Sequence, residues 1–158
     1  MAFGQRMRDS GGPPSASASR FGSADAVSRY CAASEAGDIN ALIETLAPDA
    51  ELVSPISGRM VFRGHEDLRV LLTAIYGSLR GLSWAKQIGD GPERVVLGEA
   101  RIAGVRVTDA MVFELAGDGQ IRRIRPHLRP WLALTLLAAA LAPKVGRHAG
   151  VVRRALAG

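Results

Sequence analysis

The chain predicts an α+β fold, with helices packed on one face of a curved antiparallel sheet, and three features of its sequence support this. Apolar residues recur at helical spacing in the first third of the chain and again from His65 to Gly81. From Leu82 to Leu128 the period drops to two, with glycine-containing turns between the runs. The resulting order is two helices, a small hairpin, a third helix and then strands, which segregates helices from sheet.

Residues 1–22 are rich in Gly, Pro, Ser and Ala, have no periodicity and are expected to be disordered. A domain over 23–129 follows. In "SADAVSRYCAASEAGD", Val27, Tyr30, Cys31 and Ser34 share a helical face, Ser23 is placed to cap the start and Gly37 to end it. Asp38 caps a second helix, "INALIETLA", with Ile39, Leu42, Ile43 and Leu46 inward. "AELVSPISGRMVFRG" reads as two short strands around a Pro-Ile-Ser-Gly turn. "HEDLRVLLTAIYGSLRG" is a third helix with a stripe of Leu68, Leu71, Leu72, Ile75 and Leu79. "LSWAKQIGDG" and "ERVVLGEARIAG" are strands, and "VRVTDAMVFELAGDGQIRRIRPHL" is a hairpin turning in Ala-Gly-Asp-Gly. A C-terminal extension, 130–158, is apolar on nearly every side from Trp131 to Ala142, and Pro143 is expected to break it.

With 158 residues, 47% hydrophobic and 22% charged, the composition is that of a soluble domain with a real core. One cysteine, Cys31, cannot form an internal disulfide and has no His or cationic neighbour in sequence; it reads as a small buried hydrophobe. The start has no apolar core of signal-peptide length, and no run reaches the roughly 20 apolar residues of a spanning helix. A cytoplasmic location is expected. The formal charge is +5, and no acidic residue follows Asp118. The basic tail (Arg122, Arg123, Arg125, Arg129, Lys144, Arg147, Arg153, Arg154) reads as a solvated surface or as a site for an acidic partner. No zinc-ligand spacing, RNA-binding signature or phosphate-binding glycine loop is present, so neither nucleic acid, metal nor cofactor is expected.

The residue that asks for a function is Asp109. On the strand Val105–Leu115 one face carries Val105, Val107, Met111, Phe113 and Leu115, and Asp109 interrupts that apolar row. Burial raises a carboxyl's pKa, and a neutral acid in an apolar pocket can donate a hydrogen bond or shuttle a proton. The structural alternatives are a pairing with Arg101 or a backbone amide, or a bulge that turns the side chain outward. Tyr30 lies on an apolar helix face, either as core or as a pocket hydroxyl. Trp84, Met111 and Phe113 are core or the wall of a pocket for a flat apolar ligand. His127 falls off the inward face, His65 opens a helix on the surface, and Glu99 with Arg101 reads as a surface pair.

The stretches "SRYCAASEAGDINALIETLAPDAELVSP", "FRGHEDL", "VTDAMVF" and "GQIRRI", in this order, resemble the NTF2-like superfamily over residues 24–128. That superfamily includes the SnoaL-like polyketide cyclases and the ketosteroid isomerases. The resemblance implies a cone, in which a bent sheet wraps around helices and leaves an apolar pocket. Tyr30 and Asp109 fall where the isomerases keep their oxyanion-hole tyrosine and aspartic acid. The isomerase base, an aspartate just before a proline at the end of the first strand, is replaced by Ser54 in "LVSP". A serine is no unaided base near neutral pH, so appreciable ketosteroid isomerase activity is not expected. The SnoaL-like cyclases use one aspartate as acid/base on the corresponding late strand, a place Asp109 could fill. The limonene epoxide hydrolase pattern, an Arg with two aspartates, would put its last member near Pro126 and is not matched.

Taken together, the expectation is a binder of a small apolar carbonyl compound, steroid- or polyketide-like. Asp109 and Tyr30 would be its reactive groups, and Ser54, Trp84, Met111 and Phe113 its contacts. Cofactor-free isomerase or cyclase chemistry and a non-catalytic binding or dimerisation module remain the two classes. A homodimer is expected through part of the apolar tail, with peripheral contact to anionic membrane as its rival.

Overall fold

The computed structural model describes residues 25–157, so the expected disorder of 1–22 and the cap at Ser23 lie outside the described residues. Within them the elements run α1 (Ala26–Ala36), α2 (Ile39–Ile43), β1 (Leu46–Val53), β2 (Val61–Arg63) and α3 (Gly64–Tyr76). Next come β3 (Arg80–Ile88), β4 (Glu93–Ile102), β5 (Val105–Leu115), β6 (Ile121–Arg125) and β7 (Leu128–Arg129), then α4 (Trp131–Gly146) and α5 (Ala149–Leu156). The curved sheet has the order β2-β1-β6-β5-β4-β3, with β7 also on β5. Its neighbours are antiparallel except β1 and β6, which are parallel. Strands β6 and β7 keep one register against β5, Val112↔Arg125 and Asp109↔Leu128. They are a single strand interrupted at Pro126, which has no N–H to contribute to the ladder.

Helix α1 starts at Asp25, whose carboxylate accepts the Ser28 N–H at 2.8 Å, and stops at Gly37 with φ 71°. Helix α2 is shorter than its apolar period suggests. The Thr45 hydroxyl donates to the Leu42 carbonyl at 2.7 Å, and the Thr45 carbonyl already accepts the Ile121 N–H at 3.0 Å. Pairing with β6 thus takes over at Thr45, and Leu46 reaches the core from a strand instead of a helix. Strand β5 follows the predicted alternation: Val107, Met111 and Phe113 are buried, while Arg106 and Thr108 are exposed.

Two surface expectations change. Glu99 pairs with Arg106 across the β4–β5 hairpin, not with Arg101, which donates to the Gly104 carbonyl at 3.2 Å. His65 is half-buried, and its Nε2 donates to the Leu46 carbonyl at 3.0 Å.

The apolar tail folds back on its own domain. Helix α4 continues through Pro143 to Gly146 instead of breaking there. Pro143 and Ala139, whose carbonyl that proline cannot pair, are both on the solvent side, which softens the loss. Ala133, Leu137, Leu141 and Val145, spaced by four, form the buried stripe, and Val151 and Ala155 continue it on α5. Lys144 Nζ donates to Ser78 Oγ at 2.6 Å, and Arg154 forms a two-point ion pair with the buried carboxylate of Asp67 in the first turn of α3. Among the described residues no helix is long and apolar enough to cross a membrane.

One glycine positions the interior. Gly98 on β4 pairs with Trp84 on β3, and the buried indole lies directly over it. A β-carbon at Gly98 would stand 2.7 Å from Trp84 Cζ3 and closer still to Cε3. Gly98→Ala should therefore lower stability by about 1–3 kcal/mol, the usual range for overpacking. Urea unfolding would read this as a lower midpoint at unchanged slope, and an unchanged midpoint would show that the ring moves freely.

Candidate functional site

The site begins with a row across the sheet: Trp84, Gly98, Asp109 and Leu128 are successive register partners on β3, β4, β5 and β7. All four line one cavity of about 310 Å³ between the concave face, α1, α3 and α4. Most of its wall is apolar, including Leu72, Met111, Leu137 and Leu141. Polar side chains enter it at few places: Tyr30, Tyr76, Asp109 and Ser54.

Asp109 sits beside the interruption at Pro126. Its Oδ1 accepts the backbone N–H of His127 at 2.9 Å, while the Ala110 N–H donates to the His127 carbonyl at 3.3 Å. The Ala110 carbonyl, deprived of that backbone N–H, takes the His127 ring Nδ1 at 3.1 Å. Burial pushes the Asp109 carboxyl up to about 6, and the His127 amide opposes the rise. The backbone-amide alternative read from the sequence and the pocket alternative are therefore both realised, and Arg101 plays no part. Asp109 also borders a groove on the outer face of the sheet, with Thr108, Ala110 and His127.

Tyr30 is fully buried on α1, and its hydroxyl shares a 2.8 Å hydrogen bond with that of Tyr76 at the end of α3. Burial raises both phenols well above their ordinary range, and the nearby Asp109 carboxylate adds to this. Both remain protonated at any physiological pH. Of their two protons, one lies between the hydroxyls and the other is free to donate elsewhere. Tyr76 was not singled out from the sequence, although Leu68, Leu72 and Tyr76 form an i, i+4, i+8 row on the stripe of α3.

Ser54 is buried in the cavity wall at the end of β1. Its N–H donates to the Met60 carbonyl at 2.9 Å, and its Oγ accepts the Ile56 N–H at 3.3 Å. Trp84 and Met111 also line the cavity. Phe113 lies behind it, in the core, with its ring edge-on to Tyr30 at 5.1 Å between centroids. The Cys31 thiol is buried and pushed up to about 12 by burial, so it carries no thiolate. His127 is largely exposed and reaches the site only through its backbone. Among the described residues no three His, Cys, Asp or Glu side chains stand close enough to hold a metal ion.

The comparisons agree with this architecture. The sequence profile of the SnoaL-like domain matches residues 27–124. No curated protein matches the chain significantly. A Silicibacter pomeroyi protein with a cystatin-like fold superposes with a TM-score of 0.76 at 17% identity, covering 82% of this chain and 93% of its own. A steroid delta-isomerase from Pseudomonas aeruginosa gives 0.71 at 18% identity, covering 79% and 92%. A candidate polyketide cyclase from Sinorhizobium meliloti gives 0.55 at 24% identity, covering 65% and 93%. These likenesses concern the fold, on which many activities are built. With the profile covering more than half of its length, the chain belongs to the SnoaL-like domain family of the NTF2-like superfamily.

Proposed function

We propose that the cavity binds a small apolar carbonyl compound, of steroid or polyketide type, and polarises its carbonyl group. The observation that carries this reading is one cavity whose apolar wall holds the Tyr30–Tyr76 hydroxyl pair together with the Asp109 carboxyl. Apolar burial provides the affinity, and the few polar groups fix orientation. The free phenol proton and a protonated Asp109 are two donors for the carbonyl oxygen, and in a dry site such donors stabilise an enolate. With a pKa of about 6, Asp109 can also take up and release a proton near neutrality.

The reaction this supports is cyclase-like, with Asp109 as the single acid/base. Ser54, hydrogen-bonded into the β1–β2 turn, favours a second reading: binding without turnover.

Three measurements bear on this proposal. Binding of a fused-ring ketone, followed through the Trp84 emission, should exceed that of the matching hydrocarbon by about tenfold, the worth of one good hydrogen bond. Tyr30→Phe and Tyr76→Phe combined with Asp109→Ala should erase the difference; equal affinities in the native chain would overturn carbonyl recognition.

The affinity should also depend on pH. A donor role needs the protonated acid, so ketone affinity should be full below about pH 6 and decline above it, as Asp109 ionises. Asp109→Asn, which keeps an N–H donor, should flatten the profile. An affinity that climbs through pH 6 would make the carboxylate an acceptor instead.

Finally, turnover of a β,γ-unsaturated ketosteroid should be very slow. A positioned base contributes about 10²–10⁴-fold, and Ser54→Asp should recover part of that. Fast turnover by the native chain would mean that another residue serves as base.

A further inference from the structure

The outward face of α4 is unusual for a surface helix. Opposite its buried stripe stand Trp131, Leu132, Thr135, Ala139 and Pro143, with no charged side chain among them. Trp131 is 76% exposed and Leu132 44%. Thr135, the polar member, turns its hydroxyl back to the Trp131 carbonyl at 3.0 Å. On an ordinary solvated helix this face carries the charge.

Cations lie toward its C-terminal end instead. Arg147 follows α4 and Arg153 lies on the exposed side of α5 with Leu156, which is 63% exposed, while Arg129, before α4, borders the groove on the outer face of the sheet. Among the described residues none of these three arginines has a carboxylate partner, in contrast to Arg122, Arg123, Arg125 and Arg154. No acidic residue lies anywhere after Asp118. A second copy of the chain, pairing through this face, would set like charges against one another. A surface that is apolar below and anionic above meets both features.

We infer that the outward face of α4 docks on an anionic lipid bilayer. Trp131 and Leu132 enter the boundary between headgroups and acyl chains, and Arg147 and Arg153 meet the lipid phosphates. The helix lies in the membrane plane and does not cross it. This inference is independent of the chemistry in the cavity, although the inner stripe of the same helix forms part of the cavity wall.

The test is co-sedimentation of the full chain with vesicles of phosphatidylcholine alone and of phosphatidylcholine mixed with phosphatidylglycerol. Binding is expected to the mixed vesicles only, to weaken as salt rises, and to shift Trp131 emission to the blue. Arg147→Gln with Arg153→Gln should weaken it about 30-fold, from the worth of two interfacial cations. Trp131→Gln with Leu132→Gln should abolish the emission shift and most of the binding. All four side chains are exposed, so circular dichroism and the unfolding midpoint should match the native chain in both variants. No binding to mixed vesicles at low salt would overturn the inference, as would equal binding to both vesicle types. A lipid-free dimer that Trp131→Gln dissociates would assign the face to a second copy instead.

Discussion

The interior depends on how the Trp84 indole is held. Its Nε1–H donates to Ser34 Oγ at 2.9 Å, and the Trp84 backbone N–H donates to Glu35 at 2.6 Å. Two bonds thus bolt the end of α1 to β3. Ser34 in turn donates to the Cys31 carbonyl at 2.8 Å, so the bolt is tied into the helix backbone. Tyr30 is four residues before Ser34 and shares its helical face. Fixing Ser34 therefore fixes the direction in which the Tyr30 hydroxyl points. On the sheet side, Gly98 is the only residue type that lets the indole lie flat, because any β-carbon would intrude on the ring. The next register partner beyond Gly98 is Asp109. One ring and one missing side chain thereby set the tyrosine and the carboxylate around a common space.

That space is costly for an acid. A carboxyl raised to about 6 binds its proton more tightly in the folded chain than in the unfolded one. Stability is then unaffected by Asp109 below its ordinary pKa, falls as pH rises toward 6, and carries the full cost above it. The cost at neutral pH is on the order of 3 kcal/mol. The His127 amide offsets part of it, and the strand break at Pro126 is what makes that amide available. A leucine there would complete the row of Val107, Met111 and Phe113 without that cost. On the proposed reading, local stability is lowered there for the sake of carbonyl binding.

Much of the fold was legible because its signals are local. The alternation along β5, the caps at Asp38 and Gly37, and the stripe of α3 from Leu68 to Ile75 are readable from neighbours a few residues apart and reappear in the structure, whereas Leu79 lies past the end of α3 at Tyr76. Asp109 stood out for the same reason, as a break in a period of two. What was not legible depends on distant partners. The end of α2 is set by Ile121, far along the chain, and no propensity of "INALIETLA" reports it. The pairing of Tyr76 with Tyr30 bridges two helices, and the row in α3 that contains Tyr76 is equally good as core. The amide that answers Asp109 belongs to His127, whose ring was the obvious feature but whose backbone does the binding. Ser54 could be placed at the mouth of the first hairpin, but not the turn that engages its hydroxyl.

The tail makes the last connection. A helix that is apolar all round needs cover on two sides, and one domain supplies only one of them. The four-residue spacing of Ala133, Leu137, Leu141 and Val145 selects the side that faces the cone, and the ion pair of Arg154 with Asp67 holds α5 beside it. The same contacts fix which side is left outward, because the helix cannot rotate without exposing the inner stripe. Leu137 and Leu141 then face the cavity, while Trp131 and Leu132 face away from the protein. One helix thickness separates the cavity from the outward face of α4. The pattern that hides an apolar cavity from water thereby also fixes the orientation in which the domain presents its apolar exterior.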